Sequence, residues 1–280
     1  MGKDMKYDKK VSVIMGVYNQ TDKEALKLAV DSIINQTLTD FEFLIYDDGS
    51  LPEVSDDICE ICKCDRHIKL ISSRDNKGLA FSLNACIDVA VGKYIARMDA
   101  DDYSMPERLE RQYDFLEANS EYGWCGCGAV LFDEKGDWGE RIMPPIPEKK
   151  DFLKFSPYIH PSVMYRSDIL KDNGKYRVSK DTLRCEDYEI FMRLTQAGYK
   201  GYNLGQSLLK YREDNNSYRR RKFKYRISEA KIRYYNFKAM KMLFPTGWLY
   251  CLRPIAGGLI PGNILRWLKK SRYRYESDKR

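Results

Sequence analysis

Apolar and polar positions follow two alternating periods along the first hundred residues. Residues 11–17, VSVIMGV, make a short apolar, β-branched run bounded by polar residues, the pattern of a buried strand. In TDKEALKLAVDSIINQ, Leu26, Val30, Ile33 and Ile34 recur at helical spacing and predict an amphipathic helix. The cycle repeats: FEFLIY, IKLIS and KYIARM read as strands, while Pro52 to Cys64 and Leu79 to Val91 read as helices. Strands alternating with helices of about ten residues or more predict parallel βαβ units, with right-handed crossovers and helices on both faces of the sheet.

Three strand-to-helix junctions carry the spacing of a capping box: Thr21 with Glu24, Ser50 with Glu53, and Ser104 with Glu107. On that reading the aspartates just upstream are not needed as caps. Beyond Gln112 the periodicity loosens. YGWCGCGAVLF predicts another strand, EKGDWGERIMPPIPEKK a mobile surface loop, HPSVMYRSDIL a strand and a helix start, CEDYEIFMRLTQAGY a helix ended by Gly198, and GYNLGQSLLKYRED a last strand. There are no internal repeats.

In open parallel sheets, ligands bind beyond the carboxyl ends of the strands. Four polar clusters fall on that rim here: Tyr18 and Asn19; Asp47 and Asp48; Arg74, Asp75 and Asn76; and Asp99, Asp101 and Asp102. An aspartate at a strand end is often only a turn former. Three carboxylates within four positions, however, repel one another unless a cation meets them. With no His or Cys nearby, the oxygen set suits Mg²⁺ or Mn²⁺. Neither GxxxxGK[ST] nor a GxGxxG after the first strand is present, which argues against a P-loop NTPase and a dinucleotide redox enzyme. Glu186 and Asp187 open a predicted helix; they either complement its positive end or supply a base for an acceptor hydroxyl.

Composition sharpens the picture in three ways. The 280 residues suffice for one catalytic-size domain with an appendage. No run of about 18 apolar residues occurs and MGKDMKYDKK lacks the apolar centre of a signal peptide, so a cytoplasmic protein is expected. The eight cysteines lie mostly in apolar runs and read as thiols; in CEICKCDRH, a zinc site from Cys59, Cys62, Cys64 and His67 competes with a helix burying Ile58, Ile61 and Cys62, and the helix is preferred. Charge is uneven: residues 218–280 hold 18 Lys and Arg against 3 Asp and Glu, a net of +15, while the whole chain carries +7 and the body therefore −8.

The stretches VSVIMGVYN, FEFLIYDDGS, NKGLAFSLNACIDVAVGKYIARMDADD and CEDYEIFMRL, in this order, resemble the family 2 glycosyltransferases, inverting enzymes that bacteria use to build surface polysaccharides. The resemblance spans residues 10–215 and implies an α/β, GT-A fold: a Rossmann-like, mostly parallel central sheet with helices on both faces, here followed by a basic helical extension. It implies that Asp48 accepts a hydrogen bond from the donor's base and that Val17 and Tyr18 border that base; Asn76, by its place at the end of the third strand, is expected on the same nucleotide-binding rim. Asp99 and Asp101 would be the DxD pair, Asp99 at the ribose or, through water, at the metal and Asp101 on the metal, with His160 at a family position near the metal or acceptor. Asp187 of the Glu186–Asp187 pair would be the general base. The sequence departs at MGVYN, where Gly16 stands in place of the family's usual proline.

The expected organisation is a catalytic domain over residues 1–217, with a nucleotide-binding half near 10–120 and an acceptor half near 121–217, then an extension over 218–280. In the extension, Phe223, Ile227, Ala230, Tyr234 and Phe237 recur at spacings of three and four and predict a basic amphipathic helix with one apolar stripe. The following apolar segment is broken by Pro245, Arg253, Pro254 and Pro261, too interrupted to span a bilayer, and fits an in-plane anchor with Trp248 and Trp267 at headgroup level. Packing on the body and nucleic-acid binding compete; the Trp-bearing apolar continuation favours anionic lipid over nucleic acid. The expected function is therefore transfer of a sugar from a UDP-linked donor to a lipid-linked oligosaccharide at the inner membrane face. A nucleotidyltransferase of similar architecture and a non-catalytic membrane adaptor are the alternatives.

Overall fold

The computed structural model describes residues 7–213, 223–260 and 262–273. Its first half follows the predicted alternation: β1 Lys9–Val17, α1 Lys23–Ile34, β2 Phe41–Asp48, α2 Pro52–Cys62, β3 Ile68–Ser73, α3 Leu79–Val89 and β4 Gly92–Arg97. β1, β2, β3 and β4 pair in parallel in the order β3-β2-β1-β4. The chain thus moves outward from β1 through β2 to β3, then returns to the other side of β1, and the crevice between the ends of β1 and β4 is the point of reversal.

The second half adds β5 Tyr103–Ser104, α4 Arg108–Ala118, β6 Tyr122–Asp133, β7 Gly136–Arg141, β8 Met164–Arg166, α5 Ser167–Asp172, α6 Glu186–Gln196 and β9 Lys200–Arg212. β8 joins β4 to β6 by antiparallel pairing on both sides. β6 pairs in parallel with β9, and β9 in turn pairs antiparallel with the short β5. The result is one mixed sheet. Alternation along the strands splits its core between two faces. Val11, Val13 and Met15 meet α1 and α2 through Leu26, Val30, Ile33, Val54 and Ile58, whereas Ile14 and Leu44 meet α3 and α6 through Leu83, Ile87, Ile190 and Phe191. Gly198, at φ +93°, follows α6 as predicted.

Several expectations are corrected. None of the three capping boxes forms. Asp22 caps α1, accepting from the Ala25 amide at 3.0 Å. Leu51 precedes α2 with Pro52 at its first position, and Ser50 instead accepts from the Asn19 amide. Ser104 is a buried strand residue in β5, and α4 starts after Glu107 with no side-chain cap. At α1 a short aspartate side chain reaches the first free amides as well as a hydroxyl does and takes the place of the predicted pair, while α2 and α4 begin with no side-chain cap. The stretch expected as a loop contains β7, which folds back on β6 as a hairpin edge strand. The zinc alternative does not form: α2 buries Val54, Ile58, Ile61 and Cys62, while His67 Nδ1 bonds Asp65 at 2.6 Å and its ring stacks on Phe41.

Among the described residues of the extension, three α-helices follow: α7 Phe223–Ala239, α8 Trp248–Gly258 and α9 Gly262–Tyr273, with a π-helical turn at Leu243–Gly247 before α8. α7 buries Ile232, Arg233 and Phe237, so only Phe237 of the predicted stripe is in the core, and Phe223, Ile227 and Tyr234 are exposed. The cause is docking. Phe237 and Met240 share a cluster with Tyr188 and Phe191 of α6, and the Arg233 guanidinium lies over the Tyr188 ring at 4.8 Å while donating to the Leu153 carbonyl. Pro254 lies inside α8 rather than ending it, and Pro261 falls outside the described residues. α9 is tied to the β6–β7 hairpin by Lys270, 2.9 Å from buried Asp133 and over the Trp138 ring.

Candidate active site

The rim is assembled from strand ends that bind one another. At the end of β1, Val17 is buried and Tyr18 stands 52% exposed, its ring free to stack. Asn19 takes φ +47°; its amide donates to Ser50 Oγ and its Oδ1 accepts from the Leu51 amide at 2.8 Å, which ties the β1 end to the β2 turn. Asp47 folds that turn, accepting from the Ser50 amide and from Ser55 Oγ at 2.6 Å. Asp48 reaches across instead. Its buried carboxylate accepts from the Lys77 amide at 2.9 Å, the Gly78 amide at 2.8 Å and Asn76 Nδ2 at 2.9 Å, so it fixes the loop that opens α3. Gly49, at φ +74°, permits the contact: a Cβ there would sit 2.6 Å from the Asp75 carbonyl carbon. Gly16 is likewise a packing residue, since a Cβ would press on Leu79 and Ser82 of α3 at 3.1 Å.

Beyond β4, the carboxylates of Asp99, Asp101 and Asp102 each offer an oxygen within 4.8 Å of the others. Asp102 is buried. Its Oδ1 accepts from the Arg212 amide at 2.8 Å, its Oδ2 has no hydrogen-bond partner, and burial with the charges of Asp99 and Asp101 pushes its pKa well up. Arg212 also donates from Nε to the Asp101 carbonyl and lies over the Phe132 ring, so the end of β9 closes the cluster. Three crowded carboxylates, one with an orphaned buried oxygen, fit a hard divalent cation. Asp99 and Asp101 are partly exposed and Asp102 is buried.

Sequence reasoning missed the cation already built into this site. Arg97, the last residue of β4, is 2% exposed and ion-pairs with Asp99. Its positive charge acts on Asp99, Asp102, Tyr176, His160 and Asp187. The available signal was a charge set between the apolar residues Tyr94, Ile95 and Ala96 on one side and Met98 on the other, which a buried position does not tolerate without a partner.

The structure places His160 apart from the carboxylate group. Its Nε2 is 2.8 Å from Tyr176 Oη, its ring packs edge-on to Tyr176 and Phe191, and burial followed by the charge of Arg97 holds its pKa well below the ordinary value. Tyr176 is itself pinned to α3, since Asn84 exchanges two hydrogen bonds with its backbone at 2.8 and 2.9 Å. Asp187 is half-buried at the start of α6 with Glu186 buried beside it. Burial raises the pKa of both; for Asp187 the helix amide of Tyr188 and the charge of Arg97 pull it back toward the ionised form. The arrangement offers a stacking ring and a fixed loop at one end, a cation cradle in the middle, and a carboxylate on a helix start at the other.

Comparison with known proteins identifies the class. Residues 12–174 match the model of glycosyl transferase family 2. The chain is 37% identical over 269 residues to the Bacillus subtilis glycosyltransferase EpsE, covering 94% of each protein. It is 28% identical over 274 residues to the amylovoran biosynthesis glycosyltransferase AmsE of Erwinia amylovora, covering 96% of this chain and 99% of that one. It is also 32% identical over 212 residues to the O-antigen biosynthesis glycosyltransferase WbnJ of Escherichia coli, 74% and 81% covered. The chain belongs to glycosyl transferase family 2 and is a glycosyltransferase.

Solved structures agree on the GT-A fold. The S. aureus TarS fragment 1–349 in complex with UDP superposes with a TM-score of 0.63 at 17% identity, covering 93% of this chain and 78% of that one. The mannosyltransferase PcManGT from Pyrobaculum calidifontis, in complex with GDP-Man and Mn²⁺, superposes with a TM-score of 0.61 at 16% identity, covering 98% and 83%.

Proposed function

We propose that this glycosyltransferase is inverting and metal-dependent, and that it moves a sugar from a UDP-linked donor to a hydroxyl of a lipid-linked oligosaccharide in surface-polysaccharide synthesis at the inner face of the cell membrane. The observation that carries the reading is the acidic cluster Asp99, Asp101 and Asp102, whose buried, unpartnered Asp102 oxygen leaves it in need of a cation. The donor sugar in one TarS complex, UDP-GlcNAc, and the Mn²⁺ in the PcManGT complex support the donor and metal assignments. The names of AmsE and WbnJ support the pathway class.

In this reading Tyr18 stacks on the base, beside Val17, and Asp48 uses its remaining lone pair on the base while holding Asn76, Lys77 and Gly78 in place. Asp99 and Asp101 hold Mg²⁺ or Mn²⁺, which when bound neutralises the departing diphosphate. Asp187 removes the proton from the acceptor hydroxyl as that oxygen attacks the anomeric carbon from the face opposite the leaving group, which inverts the centre. Glu186 supports the helix start, and His160, neutral and fixed by Tyr176, lines the acceptor side. Residues 10–120 form the nucleotide half and 121–217 the acceptor half.

Residues 218–280 hold the enzyme to anionic lipid. Among the described residues no helix is long and apolar enough to cross a membrane. α8, the turn after it and α9 nevertheless expose Trp248, Leu249, Leu252, Leu259, Trp267 and Leu268, and the flanking Lys and Arg would lie at the headgroups.

Calorimetric titration with UDP, GDP, CDP and dTDP, each with Mn²⁺ and with EDTA, tests the reading. One diphosphate should bind in Mn²⁺ alone, and Asp101→Ala should abolish that binding. Equal affinity in EDTA, or in the D101A chain, would remove the metal assignment. Release of nucleoside diphosphate rather than pyrophosphate separates sugar transfer from nucleotidyl transfer.

A further inference from the structure

Two guanidinium groups border the acidic cluster. Arg97 is paired with Asp99 and is buried: it is 2% exposed, its strand amide is bonded to the Val163 carbonyl, and Tyr176, locked by Asn84, stands in its field. Arg212 lies along Asp101 and Asp102 through its Nε and amide. A free divalent cation therefore meets a cluster in which one of the two accessible carboxylates, Asp99, is already engaged by an internal cation. Like charges at such range oppose each other, and Arg97 itself is buried from the water that would screen it.

We propose that Arg97 acts as a positioning residue that competes with the metal for Asp99, so that the cation binds weakly by itself and tightly only together with a nucleoside diphosphate. The inference rests on the metal-dependent reading above. The diphosphate supplies the negative charge that Arg97 cancels, and the two ligands then raise each other's affinity by the same factor, as linkage requires. Arg97 also holds Asp99 in one orientation while the site is empty of metal, so no carboxylate has to be ordered when the pair arrives. A nucleotide-free enzyme would thus not be filled by whatever divalent ion is most abundant.

The full-length chain is titrated with Mn²⁺ alone, following free Mn²⁺ by electron paramagnetic resonance, and again with UDP, GDP, CDP or dTDP at saturation. In the unaltered protein the binding diphosphate should tighten Mn²⁺ by at least about tenfold, consistent with coupling energies of ordinary allosteric size, whereas the matching nucleoside should not. Arg97→Gln should tighten Mn²⁺ alone by about tenfold and shrink the coupling by a similar factor; Arg97→Lys, which keeps the charge, should stay close to the unaltered protein.

Mn²⁺ binding that is unchanged or weaker in the R97Q chain, while Asp101→Ala still abolishes it, overturns the competition and leaves the metal site standing. Mn²⁺ binding insensitive to D101A removes the metal reading itself. Should circular dichroism show the R97Q chain unfolded, the unaltered protein decides: Mn²⁺ alone binding as tightly as with the diphosphate overturns the proposal.

Discussion

Asp48→Asn separates two roles that one carboxylate carries. The change is isosteric, but Oδ1 accepts from the Lys77 amide and Oδ2 from the Gly78 amide and Asn76 Nδ2, all at 2.8 to 2.9 Å. Whichever way the new amide is turned, its NH₂ faces a backbone N–H, and the charge that strengthens the other bonds is gone. A hydrogen bond to a charged group contributes about 1.5–3 kcal/mol, and an orphaned buried donor costs about 1–3 kcal/mol. Because these overlap, the expected loss is about 2–4 kcal/mol. With a urea m-value of about 3 kcal/mol/M for a chain of this size, the unfolding midpoint should fall by about 1 M with m unchanged. Urea titration followed by far-ultraviolet circular dichroism measures it, and nucleotide titration of the same sample should show weakened binding. A midpoint moved by less than about 0.2 M, with nucleotide binding lost, would refute the loop-fixing role and leave Asp48 as a ligand contact alone.

Other consequences are open to direct measurement. Asp187→Asn should keep Mn²⁺-dependent donor binding and lose transfer by at least about a hundredfold, the usual reach of a general base; retained turnover moves the base elsewhere. Transfer by the unaltered enzyme should decline on acidification through a pKa above the ordinary aspartate range, because burial raises Asp187 and only its ionised form accepts a proton. Glu186 is also raised by burial, so between its ordinary value of about 4.3 and its raised one the folded state binds the extra proton and stability falls as pH rises. Glu186→Gln removes that fall, and urea midpoints from pH 4 to 8 should diverge from the unaltered protein in its favour with rising pH; parallel curves would contradict the burial effect. Leu249→Ser with Leu252→Ser and Trp267→Ser should release the protein from anionic vesicles in co-sedimentation without changing nucleotide affinity. Point changes are preferred to deletion because Phe237 and Met240 pack in the core with Phe191.

The parallel half of the fold was legible because its strands are short, mostly apolar runs and its helices carry one apolar face. β7 was hidden: GDWGER is short, charged and glycine-bearing, and pairs only with β6. The turned face of α7 was hidden for a different reason. Its periodicity permits more than one apolar stripe, and only the contact with Tyr188 and Phe191 selects the one containing Ile232 and Phe237. At the site, grouping Asp99, Asp101 and Asp102 followed from the strand-end rule, and the structure brings them together. Arg97 and the Asn84–Tyr176–His160 chain join β4, α3 and the turn before β8, segments distant in sequence, and no local pattern announces such meetings.

The pairing of β9 has a consequence for how the protein is made. Tyr122 lies beside Lys200 and Ser104 beside Leu209, so the strand that delivers the Arg212 amide to Asp102 must find partners laid down far earlier in the chain. Non-local parallel contacts of this kind form late, because loop-closure entropy must be met before they stabilise anything. The first four strands can assemble on the ribosome while the acidic cluster still lacks its last support. Competence to hold the proposed metal and donor would therefore be acquired near the end of folding, after residue 212 has emerged and β9 has zipped onto β6. A newly synthesised, half-folded chain would consequently be inert toward nucleotide sugars.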